Sequence, residues 1–193
     1  GTVVVNRKNP INEITKSQLG GVFGAPTENT VTRWSELGLG GAWDRRIIQA
    51  GYADPPRNPV VDMFSAYFLD NEPIRSAIPD YETPFRLESY VSNNDNAIGL
   101  LGGLPLGTDL KTLRIASSND GVSFGPTMEN VNYGDYPLTL AYYACVPRSQ
   151  QRLLTPYIEF LLSDEIADLL ESEGLFPLIR SRRLQLSSAF LPE

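Results

Sequence analysis

The residues best placed to do chemistry in this chain are Arg57 and Asn58, in the run Asp54-Pro55-Pro56-Arg57-Asn58-Pro59-Val60. Asn58 is a good helix cap and Pro59 is pre-set for a first helical position. Val60, Val61, Phe64, Phe68 and Leu69 then follow at helical spacing, which predicts a buried helix over 59–69. A helix start presents unpaired backbone N–H groups and the positive end of the helix dipole, and a neighbouring guanidinium can clamp an oxyanion with two parallel hydrogen bonds. The chemistry on offer is anion binding; the competing reading is a surface arginine beside an ordinary cap. Tyr136 and Thr139 form a second candidate pair, whose hydroxyls either face a cleft or meet backbone at a strand edge.

Other chemistries are closed off. The chain has no histidine, which excludes Ser-His-Asp and Cys-His catalysis and His-containing metal sites. The carboxylates Glu159, Asp164, Glu165, Asp168, Glu171 and Glu173 fall on helix faces with Arg148 and Arg152 nearby, which reads as a solvated surface. We therefore expect no catalytic residue, no metal and no cofactor. The single cysteine, Cys145, allows no internal disulfide, and beside Tyr142, Tyr143 and Val146 it is expected in a buried strand. A net charge of -7 argues against a nucleic-acid partner but leaves anion binding open, because backbone N–H groups and hydroxyls can hold an anion without surplus cations. Trp34 and Trp43 could stack on a ligand, though plugging a core is their commoner use. Arg180, Arg182 and Arg183 make a small basic cluster that could dock a partner or simply keep the surface soluble.

The elements that must position these residues alternate between strand and helix, which predicts an α/β fold with a mixed sheet. Thr2–Asn6 is a β-branched run ended by Asn-Arg-Lys-Asn-Pro. Thr15-Lys16-Ser17-Gln18 has capping-box spacing ahead of Leu19, Val22 and Phe23. A helical turn is expected around Trp34 and Leu37, a strand at Ile47 and Ile48, and a helix opened by Thr83-Pro84 that ends in Ser92-Asn93-Asn94-Asp95. Short strands are expected at 97–101 and 112–116, and the longest strand at 136–146. Two amphipathic helices close the pattern, at 149–162 and 164–173, with Ser163 capping the second and Gly174 ending it. Nothing fixes the tail beyond Ile179. No stretch of 18 apolar residues and no signal peptide is seen, and Gly1 reads as a trimmed or engineered terminus.

Several of these segments, in this order, resemble the periplasmic phosphate-binding proteins of ABC transporters. The likeness is carried by VVVNRKNPINEITKSQLGGVFG and Trp34-Ser35-Glu36-Leu37, by Asn96-Ala97-Ile98-Gly99, by Tyr136-Pro137-Leu138-Thr139, and by Ile158 to Ser163 with Gly174 to Leu178. The resemblance implies a periplasmic-binding-protein-like lobe of mixed sheet and flanking helices. Its second, ligand-binding lobe would lie at 8–135. Hinge strands, a partial first lobe and a C-terminal helix pair would fall at 2–7 and 136–179, with a tail at 180–193. The family has further chain ahead of the crossing strand, so the likeness also implies a chain short of most of the first lobe, either truncated or naturally small. Where the family has a Ser-Gly-Thr turn preceded by Arg, this chain has Arg57-Asn58-Pro59-Val60, with one N–H fewer and a methyl in place of a hydroxyl.

The resemblance thus implies a non-enzymatic module that binds a small oxyanion, phosphate above all, for uptake or sensing. It would lie in the periplasm or otherwise outside the cytoplasm, with an ABC permease or a sensor as partner. The ligand contacts are expected from Arg57, Asn58, Tyr136 and Thr139. The alternative is a degenerate binding-protein-like domain acting as an interaction or scaffold module, a homodimer among its forms.

Overall fold

The computed structural model describes residues 1–53 and 59–190. Thr2–Asn6 (β1) is buried at every position, so its backbone needs partners on both edges. Antiparallel Ala97–Leu101 (β4) supplies one, with Val4 opposite Gly99, and antiparallel Leu110–Thr112 (β5) the other, with Val4 opposite Thr112. Gln49–Tyr52 (β3) adds parallel to the free edge of β4, giving a mixed sheet of order β3-β4-β1-β5. A second mixed sheet joins Glu13–Thr15 (β2), Arg114–Ala116 (β6) and Ser123–Phe124 (β7), with β2 parallel and β7 antiparallel to β6.

Successive side chains of a strand point to opposite faces, and β1 divides the core accordingly. Val3 and Val5 join Ile98 and Leu100 in a large cluster with Lys16–Phe23 (α1) and Val60–Phe68 (α2). Val4 joins Ala97 and Leu101 on the other face, under Leu87 and Val91 of Pro84–Ser92 (α3). Gly99 is where α3 comes closest: a Cβ there would lie 3.1 Å from both Val4 Cγ2 and Val91 Cγ2. Phe64 is the centre of the larger cluster, edge-on to Phe23 at 5.2 Å and stacked on Phe68 at 4.9 Å. Trp34 is fully buried in a 3-10 turn over Trp34–Leu37, with half-buried Trp43 edge-on at 5.9 Å and Arg46 lying 4.3 Å over the Trp43 ring.

Local signals place several helices. The Thr15 side chain accepts from the Gln18 N–H while Gln18 Oε1 accepts from the Thr15 N–H, the reciprocal cap its spacing predicts. Thr83 caps α3 with Pro84 in its first turn, and Ser163 caps Asp164–Ser172. Gly174, at a left-handed φ of 72°, ends that run.

Other expectations are corrected. The strand at Ile47 and Ile48 starts two residues later, at Gln49; Ile47 makes only an isolated bridge to Arg33 and is 60% exposed. The single strand at 112–116 is two. Leu113 donates its N–H to the Val3 carbonyl and is itself fully buried, so β5 stays with β1 while β6 pairs with β2 in the other sheet. Pro59 occupies the cap of α2 rather than its first turn. The long strand at 136–146 is absent: past Leu138 the chain runs without regular structure to a 3-10 turn at Arg148–Gln150, and Cys145 is exposed rather than buried. The reason is that a strand exists only with a hydrogen-bonded neighbour, and none of the described residues pairs with it. Met128–Tyr133 (α4) precedes that segment, and after it come Gln151–Leu161 (α5), Asp164–Ser172 (α6) and Arg180–Phe190 (α7), the last covering most of the tail.

Candidate anion site at the carboxyl edge of the sheet

β3 and β4 are parallel, so both deliver their carboxyl ends to one edge of the sheet, where antiparallel β1 begins. In open α/β sheets, ligands sit in the crevice beyond that edge. α2 starts there too. A Cβ on Gly1 would come within 2.6 Å of Val60 Cγ2, 3.2 Å of the Leu101 carbonyl oxygen and 3.2 Å of Leu138 Cγ. Four chain segments therefore converge on one point: the start of β1, the end of β4, the first turn of α2 and the segment after Tyr136. The Gly1 nitrogen donates to the Leu138 carbonyl at 3.0 Å, and Thr2 Oγ1 donates to the Gly103 carbonyl at 2.5 Å. Leu104 N–H donates to Gly174 at 3.1 Å, which ties the glycine turn after β4 to the end of α6.

α2 has nine residues, with no side-chain cap and Asp62 in its first turn. The carboxylate complements the helix dipole and partly fills the role an anion would take there. Among the sequence-predicted residues, Arg57 and Asn58 lie outside the described residues. Tyr136 is 2% exposed and its hydroxyl has no hydrogen-bond partner among the described residues. Burial pushes the Tyr136 phenol well above its ordinary range, so the group is a neutral donor at any working pH. Thr139 is half-buried and Oγ1 donates to the Tyr136 carbonyl at 2.8 Å. The structure thus brings Tyr136 and Thr139 together in one turn, one with an uncommitted proton and one with its proton already used.

Sequence reasoning missed Arg183. Rather than a surface cation, it is 9% exposed and donates to the Leu162 carbonyl at 3.1 Å, the Leu178 carbonyl at 2.7 Å and the Asp164 carboxylate. It locks α7 onto the turn between α5 and α6. Arg180 adds an exposed pair to Asp164 at 3.6 Å. Glu159, Leu162, Ser163, Asp164, Arg180 and Arg183 border a small recess of about 210 Å³ there, already neutralised by its own acid–arginine pairs. No trio of Cys, Asp or Glu side chains among the described residues is arranged to hold a metal, and no helix among them is long and apolar enough to cross a membrane.

The fold is that of the phosphate-binding proteins that serve ABC transporters. Over 99% of this chain it superposes on 69% of a possible phosphate binding protein from Planctomyces limnophilus, with a TM-score of 0.68 and 20% identity. A substrate-binding protein from Clostridium perfringens with bound phosphate matches 92% of the chain and 68% of its own length, with a TM-score of 0.64 and 23% identity. Two sequence relatives are similar over most of this chain. Protein SphX of Synechococcus elongatus is 29% identical over 138 residues, 70% of this chain and 40% of that one. The phosphate-binding protein PstS of Pseudomonas aeruginosa is 23% identical over 184 residues, 91% of this chain and 57% of that one. The chain therefore spans about half the length of these curated relatives. No protein-family profile matches it.

Proposed function

We propose that this chain is a solute-binding module that holds phosphate at the carboxyl edge of the β3–β4 pair. The observation that carries the reading is the placement of the α2 start at that edge, in a fold whose Clostridium perfringens example holds phosphate. The positive end of the α2 helix dipole favours an oxyanion, and Arg57 and Asn58, immediately before the helix in sequence, supply a clamp and an amide donor. Tyr136 is the stronger of the other two proposed contacts, since its hydroxyl has no partner among the described residues while that of Thr139 donates to backbone. The proposal extends to an extracytoplasmic location and to handing phosphate to an ABC permease or sensor, the permease in line with the ABC transporter named for the Clostridium perfringens protein. It includes no catalytic step. The scaffold alternative has no support in the fold or the relatives.

Calorimetry with inorganic phosphate at neutral pH tests the site. Saturable heat is expected, with affinity reduced at least about tenfold in Arg57→Ala, the scale of one lost charge-assisted pair. Absence of heat with phosphate, or binding indifferent to Arg57→Ala and Asn58→Ala, overturns it.

A further inference from the structure

We propose that Glu88 is a positioning residue for phosphate binding, a role that rests on the carboxyl edge being the anion site: from α3, its carboxylate holds the loop that follows β4 and so sets one wall of the crevice without touching the anion. The loop, Gly102-Gly103-Leu104-Pro105-Leu106-Gly107, has no charged side chain and three glycines, so neither bulk nor ion pairing sets its course. Among the described residues, no backbone hydrogen bond joins one of these six residues to another. What fixes the loop comes from outside it.

Two ties hold its start: Thr2 Oγ1 on the Gly103 carbonyl and the Leu104 N–H on the Gly174 carbonyl. One side chain holds its far end. Glu88 Oε2 accepts the Leu106 N–H at 3.1 Å and the Gly107 N–H at 2.9 Å, with Oε1 3.3 Å from the same Leu106 nitrogen. Two consecutive amides thus share one carboxylate, and hydrogen bonds to an ionised acceptor are the stronger kind. No Lys or Arg among the described residues forms an ion pair with Glu88, so its charge is directed at the loop backbone. Gly107 permits the approach, since a Cβ there would lie 3.3 Å from Glu88 Oε2.

The support behind Glu88 is rigid. Leu87 and Val91 of the same helix are fully buried with Val4, and Thr83 caps its start, so α3 cannot shift without opening the smaller core cluster. Glu88 therefore couples the loop to the sheet. The loop leaves β4 at Leu101, whose carbonyl oxygen and Val60 of α2 both border the position of a Gly1 Cβ, so a displaced loop moves the wall beside the helix start. A binding constellation must be held within about 0.5 Å of its productive geometry by the groups behind it. Placement is also the only favourable effect open to Glu88, because its negative charge by itself repels an oxyanion.

Phosphate calorimetry and hydrogen exchange on the native chain, Glu88→Ala and Glu88→Gln test the role. Glu88→Ala removes both acceptors, so the Leu106 and Gly107 amides should exchange faster while β1 and β4 stay protected, and the phosphate dissociation constant should rise at least about threefold. Glu88→Gln keeps one acceptor oxygen and should hold affinity within about twofold of native. Tighter binding in both variants would mean that Glu88 acts only through its charge, and would overturn the proposal. So would loop amides that quicken in Glu88→Ala while affinity stays native, or a loss in Glu88→Gln as large as in Glu88→Ala. No heat from the native chain fails the phosphate reading and this role with it; native heat that Glu88→Ala leaves unchanged fails this role alone.

Discussion

The part of the molecule up to Leu138 and the part beyond it are built on different principles. The first part closes its own core. Both hydrophobic clusters lie within it, and no residue past Leu138 belongs to either. The second part has three helices but buries little: Ile158, Ala167 and Pro177 are its buried apolar side chains among the described residues, while Leu153, Tyr157, Leu169 and Leu184 are each more than half exposed. Amphipathic sequence formed these helices, and the described residues cover little of their apolar faces. What holds them is directional: the Arg183 donors on two carbonyls and a carboxylate, and the Gly174–Leu104 backbone link. The lesson is that one chain can carry a region stabilised by apolar area beside a region stabilised by a few polar clamps, and the two should respond differently to substitution.

The largest effect should come from the first region. Phe64→Ala removes a fully buried ring held between two others, and a loss of about 3–5 kcal/mol is expected from chemical denaturation, enough to unfold much of the sheet. Tyr157→Ala on the exposed α5 stripe should change stability by under about 0.5 kcal/mol in dilute monomer. Equal losses for these two variants would erase the distinction between the regions.

Arg183→Ala comes next. It strands two carbonyls and leaves Asp164 with only the exposed Arg180 pair, so about 1–3 kcal/mol should be lost locally. Hydrogen exchange should show faster amides in α6 and α7 with β1 and β4 unaffected; acceleration in the sheet as well would mean that the regions unfold as one.

Tyr136→Phe sharpens the boundary between them. The hydroxyl has no partner among the described residues, so its removal should leave stability unchanged or raise it by up to about 1 kcal/mol. If the group reaches the ligand, phosphate affinity should fall at the same time. Stability falling with affinity intact would mark the hydroxyl as structural.

The smallest effect is at Glu36, whose carboxylate accepts the Thr32 and Arg33 N–H groups, each at 2.7 Å. Those backbone hydrogen bonds, Thr32 first, hold its pKa below the usual carboxylate value. A depressed carboxyl pKa means that the unfolded chain binds the proton more readily. The stabilisation is complete above the ordinary Glu pKa and is lost as pH falls through the lowered one. Glu36→Gln should cost only a small amount at pH 7, because the carboxylate is exposed and water screens it, with little difference from the native chain at strongly acidic pH, as followed by thermal melts across pH. A difference that grows on acidification would contradict that origin.

Sequence spacing was enough for whatever depends on neighbours along the chain. The Thr15–Gln18 reciprocal cap, the Thr83-Pro84 start, the Ser163 cap and the Gly174 stop are all satisfied within a few residues. The buried run Val3–Val5 was equally legible, because a β-branched stretch with no charge fits only a covered strand. The candidate site was legible in part: the order of segments pointed to its fold, and the proline-flanked Arg57-Asn58 pair to a helix start, while the state of the Tyr136 and Thr139 hydroxyls was not readable.

What the tertiary structure alone decided are the pairings. Whether 140–146 became a strand depended on a neighbour far away in sequence, and none is present among the described residues. The change of sheet at Leu113 depended on where β1 and β2 happened to lie, and the burial of Arg183 on two carbonyls and a carboxylate brought together by three helices. Helix caps and apolar periodicity are local and so are written in the sequence; strand partners and buried ion pairs join residues whose separation is set only when the chain folds.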